Sequence, residues 1–153
     1  MPELPEIVTL AREMQKELAG RTIAGIEVLQ PKCLNLPKDD LATAVQGARI
    51  LRVTSHGKWI EAALDNGWLL LNLGMGGEVL LTDRDHPPEK HRLILDLEDG
   101  VSLAINFWWF GNVHYVKSLA EHRQIASLGP DFMNLTLDDF RELLRGRRGG
   151  VKS

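Results

Sequence analysis

Between Ala48 and Val116 the chain carries seven short strand signals in quick succession: Ala48–Ser55, Trp59–Leu64, Trp68–Leu73, Glu78–Thr82, Arg92–Leu97, Val101–Asn106 and Asn112–Val116. Asn66-Gly67 and Asp99-Gly100 punctuate them as hairpin turns of the kind that needs positive φ. In Val101–Asn106 the alternation is strict, which predicts a sheet with one buried face. Short antiparallel strands joined by such turns imply a sandwich or flattened barrel.

The flanks are helical. Ile7, Leu10, Ala11, Met14 and Leu18 recur at helical spacing from Pro5 onward, and Gly20 closes that helix, which packs one face on the core. Thr22–Leu29 reads as a further strand and Gln30–Asp40, with Pro31 and Pro37, as a loop. Leu41–Gln46 reads as a short helix capped by Asp39 or Asp40. After the strands, Leu119–Ser127 predicts one helix, ended by Leu128-Gly129-Pro130. Leu137–Leu144 predicts another, capped by Thr136 with Asp138 and Asp139 in its first turn. The expected fold class is α+β, mainly β: an antiparallel two-sheet sandwich with an N-terminal helix and flanking C-terminal helices. The expected division is a catalytic unit over 1–117 and a helical segment with a basic linker over 118–153.

With 44% hydrophobic and 25% charged residues, the 153-residue chain has the composition of an ordinary globular protein. No apolar run approaches the roughly 20 residues that span a bilayer, and no signal-peptide pattern opens the chain, so the expected location is cytoplasmic. Cys33 is the only cysteine, which excludes an internal disulfide and a multi-cysteine zinc site. The histidines at 56, 86, 91, 114 and 122 show no paired helical spacing, so no metal site is expected.

Met1-Pro2-Glu3-Leu4-Pro5-Glu6-Ile7 places chemistry at a helix start. Removal of Met1 turns the Pro2 nitrogen from an amide into a secondary amine. A reference α-amino group has a pKa of about 8 against about 10.4 for lysine, so much more of it is nucleophilic at neutral pH. Added to a sugar aldehyde carbon, a secondary amine gives an iminium whose positive charge cannot be lost as a proton from nitrogen. Glu3 beside it is a candidate general acid or base. The structural alternative is that Pro5 opens the helix, with Glu3 and Glu6 favouring the positive end of its dipole.

This heptapeptide resembles the start of the formamidopyrimidine-DNA glycosylase and endonuclease VIII family, and later segments agree in order and spacing. The resemblance implies a base-excision DNA glycosylase with AP lyase activity, acting on damaged, oxidised bases in double-stranded DNA. Pro2 would be the nucleophile and Glu3 the proton donor. Lys58, in Ser55-His56-Gly57-Lys58-Trp59, would contact the phosphate flanking the lesion. Leu73-Gly74-Met75-Gly76-Gly77 resembles the loop that inserts a methionine into the space left by an everted nucleotide; a hairpin with a buried methionine is the alternative. Pro87-Pro88-Glu89-Lys90-His91-Arg92 resembles a segment whose histidine, here His91, touches the DNA backbone. Asn106-Phe107-Trp108-Trp109-Phe110-Gly111 departs from the family's Asp-Pro-Arg-Arg-Phe-Gly. Phe110 is kept, but Trp108 and Trp109 replace two arginines, so bidentate reading of an orphaned base is lost while stacking remains. Strand alternation would bury one of these tryptophans and expose the other.

Residues 141–153 carry five basic groups against Glu142, a local +4, which leaves −7 on the preceding 140. Phosphate neutralisation supplies most non-specific affinity, so any DNA footprint is local. Arg147, Arg148 and Lys152 lie where the family's chain approaches DNA before a helix-two-turn-helix domain and a zinc finger. Those modules are not in this sequence, and no cofactor is expected for it. Two further readings are a catalytically silent DNA-binding or lesion-sensing module and a truncated fragment of the full enzyme.

Overall fold

The structure, a computed structural model, describes residues 2–131 and 134–145. Eight strands form two antiparallel four-stranded sheets: β1 (Ile23–Val28), β6 (Leu93–Leu97), β7 (Val101–Asn106) and β5 (Glu78–Asp83) in that order, and β2 (Ile50–His56), β3 (Trp59–Leu64), β4 (Gly67–Asn72) and β8 (Asn112–Val116). Leu93, Leu95, Leu97, Leu103 and Ile105 of the first sheet join Ile60, Leu64, Leu71, Val113 and Tyr115 of the second in one core. Among the described residues no helix is long and apolar enough to cross a membrane.

Helix α1 (Leu4–Leu18) adds Ile7, Ala11, Met14 and Leu18 to that core, all buried and all on one face. Its docking is also polar: the Val53 N–H of β2 donates to Gln15 Oε1 at 2.5 Å, so the helix covers the sheet's edge strand. The opposite edge, β8, is covered by Asn35. Its amide donates to the Tyr115 carbonyl at 2.8 Å and accepts from the Tyr115 N–H at 2.9 Å. Gly20 ends the helical turn at φ 86°, as expected of a C-terminal glycine.

Five local expectations are corrected. The 310 turn Pro31–Cys33 interrupts the predicted loop, and helix α2 (Lys38–Val45) starts earlier than expected, with Pro37 in the capping position; Asp39 and Asp40 lie in its first turn, where they meet the dipole without capping. The β3–β4 turn is Asp65-Asn66, and Gly67 pairs with Leu64 without positive φ. Glycine is needed there for room: a Cβ would overlap the Tyr115 ring, whose hydroxyl donates to the Asn66 carbonyl at 2.8 Å. In β7 the four residues Ser102–Ile105 are all buried, so the alternation is one of size; Ser102 donates to Asp96 Oδ1 at 2.5 Å. The helix expected over Leu119–Ser127 is a 310 turn, Leu119–Glu121, followed by α3 (Arg123–Ala126). The break falls at His122, whose Nδ1 accepts the Ile125 N–H at 3.3 Å and restarts the helix.

Asp99-Gly100 turns as expected, with Gly100 at φ 84°. Helix α4 (Leu137–Leu144) also starts as expected. Thr136 Oγ1 accepts the Asp139 N–H at 3.2 Å, and Asp139 Oδ2 accepts the Thr136 N–H at 3.0 Å.

Candidate active site

Pro2 precedes α1, partly buried in an open groove. One wall is Glu6, Ile7 and Leu10 of the helix, and the other is Leu73, Gly76 and Gly77. The Glu3 N–H donates to Glu6 Oε2 at 2.6 Å, a helix-start contact that also fixes the Pro2–Glu3 peptide. Glu6 therefore positions the candidate nucleophile. The two glutamates were legible in the sequence as charges at the positive end of the helix dipole, but not for this second consequence.

Lys58 enters from the β2–β3 hairpin. Gly57 takes φ 55° at the first turn position, so that His56 pairs with Trp59 and the lysine stands at the tip. Its Nζ lies 3.6 Å from Glu3 Oε1. Both side chains are substantially exposed, so this pair contributes about 1 kcal/mol at most, and its significance is positional. Pro2, Glu3 and Lys58, separated by more than fifty residues in sequence, are thus brought together. Met1 lies outside the described residues, as do Arg147 and Lys152.

Two loops make the adjoining wall. The Met75 N–H donates to the Trp109 carbonyl at 2.8 Å and the Trp108 N–H donates to the Met75 carbonyl at 3.2 Å, which zips Leu73–Gly77 to Phe107–Gly111. Close approach requires Gly74, where a Cβ would overlap the backbone of Trp109, Phe110 and Gly111. Phe107 is the buried anchor, and Gly111 lies against its ring. Beyond it Met75 is 44%, Trp108 59%, Trp109 67% and Phe110 75% exposed. The alternation that would have buried one tryptophan ends at Asn106, where β7 stops. A buried Met75 is likewise excluded.

His91 lies just before β6, and its Nδ1–H donates to the Pro88 carbonyl at 2.8 Å. This fixes the tautomer, leaving Nε2 as the ring's other nitrogen. Together with Glu89, Lys90, Arg92, Asn106 and Trp108 it lines a second groove.

A pair of histidines, His122 buried and His114 half-buried, was missed in the sequence. His114 Nδ1 lies 2.8 Å from His122 Nε2, and both rings pack on Trp59. Since His122 Nδ1 already accepts the Ile125 N–H, His122 carries its proton on Nε2 and donates it to His114. Burial and then the neighbouring His122 lower His114 to about 4, and burial lowers His122 as well. Residues 114 and 122 lie on a strand and beyond a turn, so no single-element periodicity could have paired them. With Leu70, Val116 and Ile125 they fasten the segment after β8 to the outer face of the second sheet.

A small sandwich with a proline just ahead of its first helix, an adjacent carboxylate and a hairpin lysine defines a recognisable class of domain. A sequence model of the formamidopyrimidine-DNA glycosylase N-terminal domain matches residues 1–107, and the chain belongs to that family. It is 34% identical to a formamidopyrimidine-DNA glycosylase of Chloroflexus aurantiacus, over all of this chain and 57% of that protein. It is 35% identical to one of Edwardsiella ictaluri, over 99% of this chain and 58% of the relative. The Lactococcus lactis protein, solved with DNA containing an abasic site, superposes with a TM-score of 0.75 at 26% identity, covering 82% of this chain and 47% of that one. MutM solved with carbocyclic 8-oxo-G containing DNA gives the same TM-score and identity, with 48% of its chain covered. This chain therefore spans less than two thirds of the relatives it matches.

Proposed function

We propose that this chain is the N-terminal catalytic part of a base-excision DNA glycosylase with AP lyase activity, acting on oxidised bases in double-stranded DNA. The observation that carries the reading is the meeting of Pro2, Glu3 and Lys58, with Lys58 Nζ 3.6 Å from Glu3 Oε1 beside the Pro2 groove. A damaged nucleotide is flipped into the groove, and the Pro2 amine attacks C1′ of its deoxyribose. Glu3 delivers a proton to the sugar as the ring opens, and the base departs. The C1′ iminium acidifies the C2′–H, and loss of that proton gives an enamine whose electrons expel the 3′ phosphate. A second elimination frees the 5′ phosphate, with Lys58 holding the phosphate and assisting proton transfer. Met75 enters the gap left in the base stack, and His91 holds the backbone.

The reading requires a free Pro2 nitrogen, because a tertiary amide has its lone pair delocalised into the carbonyl. Borohydride reduction on abasic DNA should trap protein whose Met1 has been removed, as checked by intact mass, and should fail with protein that retains Met1. Efficient trapping by Met1-bearing protein would refute Pro2 as the nucleophile and transfer the role to Lys58.

A further inference from the structure

Three consecutive large aromatics, Trp108, Trp109 and Phe110, face solvent on a segment that is held rigidly. Phe110 is the one described residue other than glycine with positive φ, at 61°. Asn112 fixes it by donating from Nδ2 to the Phe110 carbonyl at 2.9 Å. Both backbone bonds to Met75 and the buried Phe107 anchor hold the same tip. A left-handed conformation at a bulky residue costs about 1–2 kcal/mol. Exposing three apolar rings relinquishes further burial. The fold sustains both costs in order to present the rings outward.

The surroundings identify what the rings meet. Trp108 stands between two grooves: its indole lies over Gly76, which lines the Pro2 groove, and it also lines the groove of Lys90, His91 and Arg92. That second groove sets two permanent cations against the carboxylate of Glu89. Flat π-faces beside cations match a nucleic-acid strand, bases to the rings and phosphates to the cations. Indole offers a single N–H donor and phenyl none, so the tip cannot make the paired hydrogen bonds that read a base edge. In a duplex both faces of each base are already stacked, and freeing one costs a few kcal/mol. An unpaired base has its faces free.

We propose that Trp108, Trp109 and Phe110 form a base-stacking platform for unpaired nucleotides, so that the enzyme accepts lesions in single-stranded or locally opened DNA whatever base stood opposite. This rests on the glycosylase reading above and extends its double-stranded substrate to unpaired strands. The full chain, freed of Met1, is titrated with oligothymidylate while tryptophan fluorescence is followed. Trapping on an abasic site is measured in a single strand and in duplexes carrying each of the four opposite bases. Expected are quenching on binding, a loss of affinity of roughly five- to hundredfold for each ring removed in Trp108→Ala and Trp109→Ala, and trapping that varies less than about threefold with the opposite base. Circular dichroism and melting should match wild type, since the replaced rings are exposed. Oligonucleotide affinity indifferent to both substitutions would overturn the proposal. So would trapping confined to duplexes with one opposite base, or self-association through the tip without quenching. Trp-dependent binding with no trapping on any substrate would instead retain the platform and remove the lyase.

Discussion

Glu3 and Lys58 reach each other at 3.6 Å across exposed surface, too far for a hydrogen bond and too wet for a strong ion pair. Their value lies in the chemistry each can perform separately. Glu3→Gln should lower base excision by on the order of 10²–10⁴, the usual worth of a positioned proton donor. It should leave part of the nicking of a preformed abasic site, because that sugar already equilibrates with an open aldehyde. Parallel assays on a lesion and on an abasic site decide it, and equal losses would contradict the division of roles. Met75, exposed on the zipped loop, gives a second contrast. Met75→Ala should weaken lesion-containing duplex more than a single strand at the same salt concentration, since only a duplex has a stack to refill.

At the level of elements, the segment from Leu119 to Ala126 depends on the neutral histidine pair. A proton on His122 Nδ1 would abolish the bond from Ile125, and one on His114 Nδ1 would set two N–H groups head to head. Both folded-state pKa values are depressed, so the unfolded chain takes up protons first as pH falls. The contribution is complete above about 6.5 and declines with acidification. For His114 it levels off near 4, where the folded ring also titrates. Melting temperature should fall over that window, and less steeply in His122→Gln. Buried Glu61 acts in the opposite sense. Desolvation raises its carboxyl more than His56, 3.8 Å from Oε1, lowers it, and among the described residues Oε1 accepts no hydrogen bond, so its charge costs stability as pH rises. Glu61→Gln should raise the melting temperature at pH 8 more than at pH 5.

For the whole molecule, the two-sheet plan was legible because turns and periods of two recur from 48 to 116, and β3, β7 and β8 have their expected limits. The proposed catalytic grouping was legible only by resemblance, since nothing in the spacing of residues 2, 3 and 58 brings them together. What escaped depended on tertiary contact: the room Gly67 leaves for Tyr115, the burial of Ser102 between neighbouring strands, and the His122 break between two short helices. The charge distribution carries its own prediction. With −7 on the first 140 residues, electrostatic attraction rests on a few local cations. The slope of log affinity against log salt should be shallow, about −2 to −3 for Lys58, Lys90 and Arg92. Each further duplex phosphate contact made by Arg147 or Lys152 should steepen it by roughly 0.9, a step that neutralising that residue removes. Titrations at several salt concentrations measure both.

Gly74 carries a consequence for descent. It has no room for a side chain because the carbonyl of Trp109 and the peptide of Phe110 lie against it. Two stretches more than thirty residues apart therefore constrain one another. Remodelling the aromatic stretch would relieve the crowding at position 74 but not the φ of 55° that also favours glycine there, whereas replacing this glycine forfeits the ring display even with every ring still encoded.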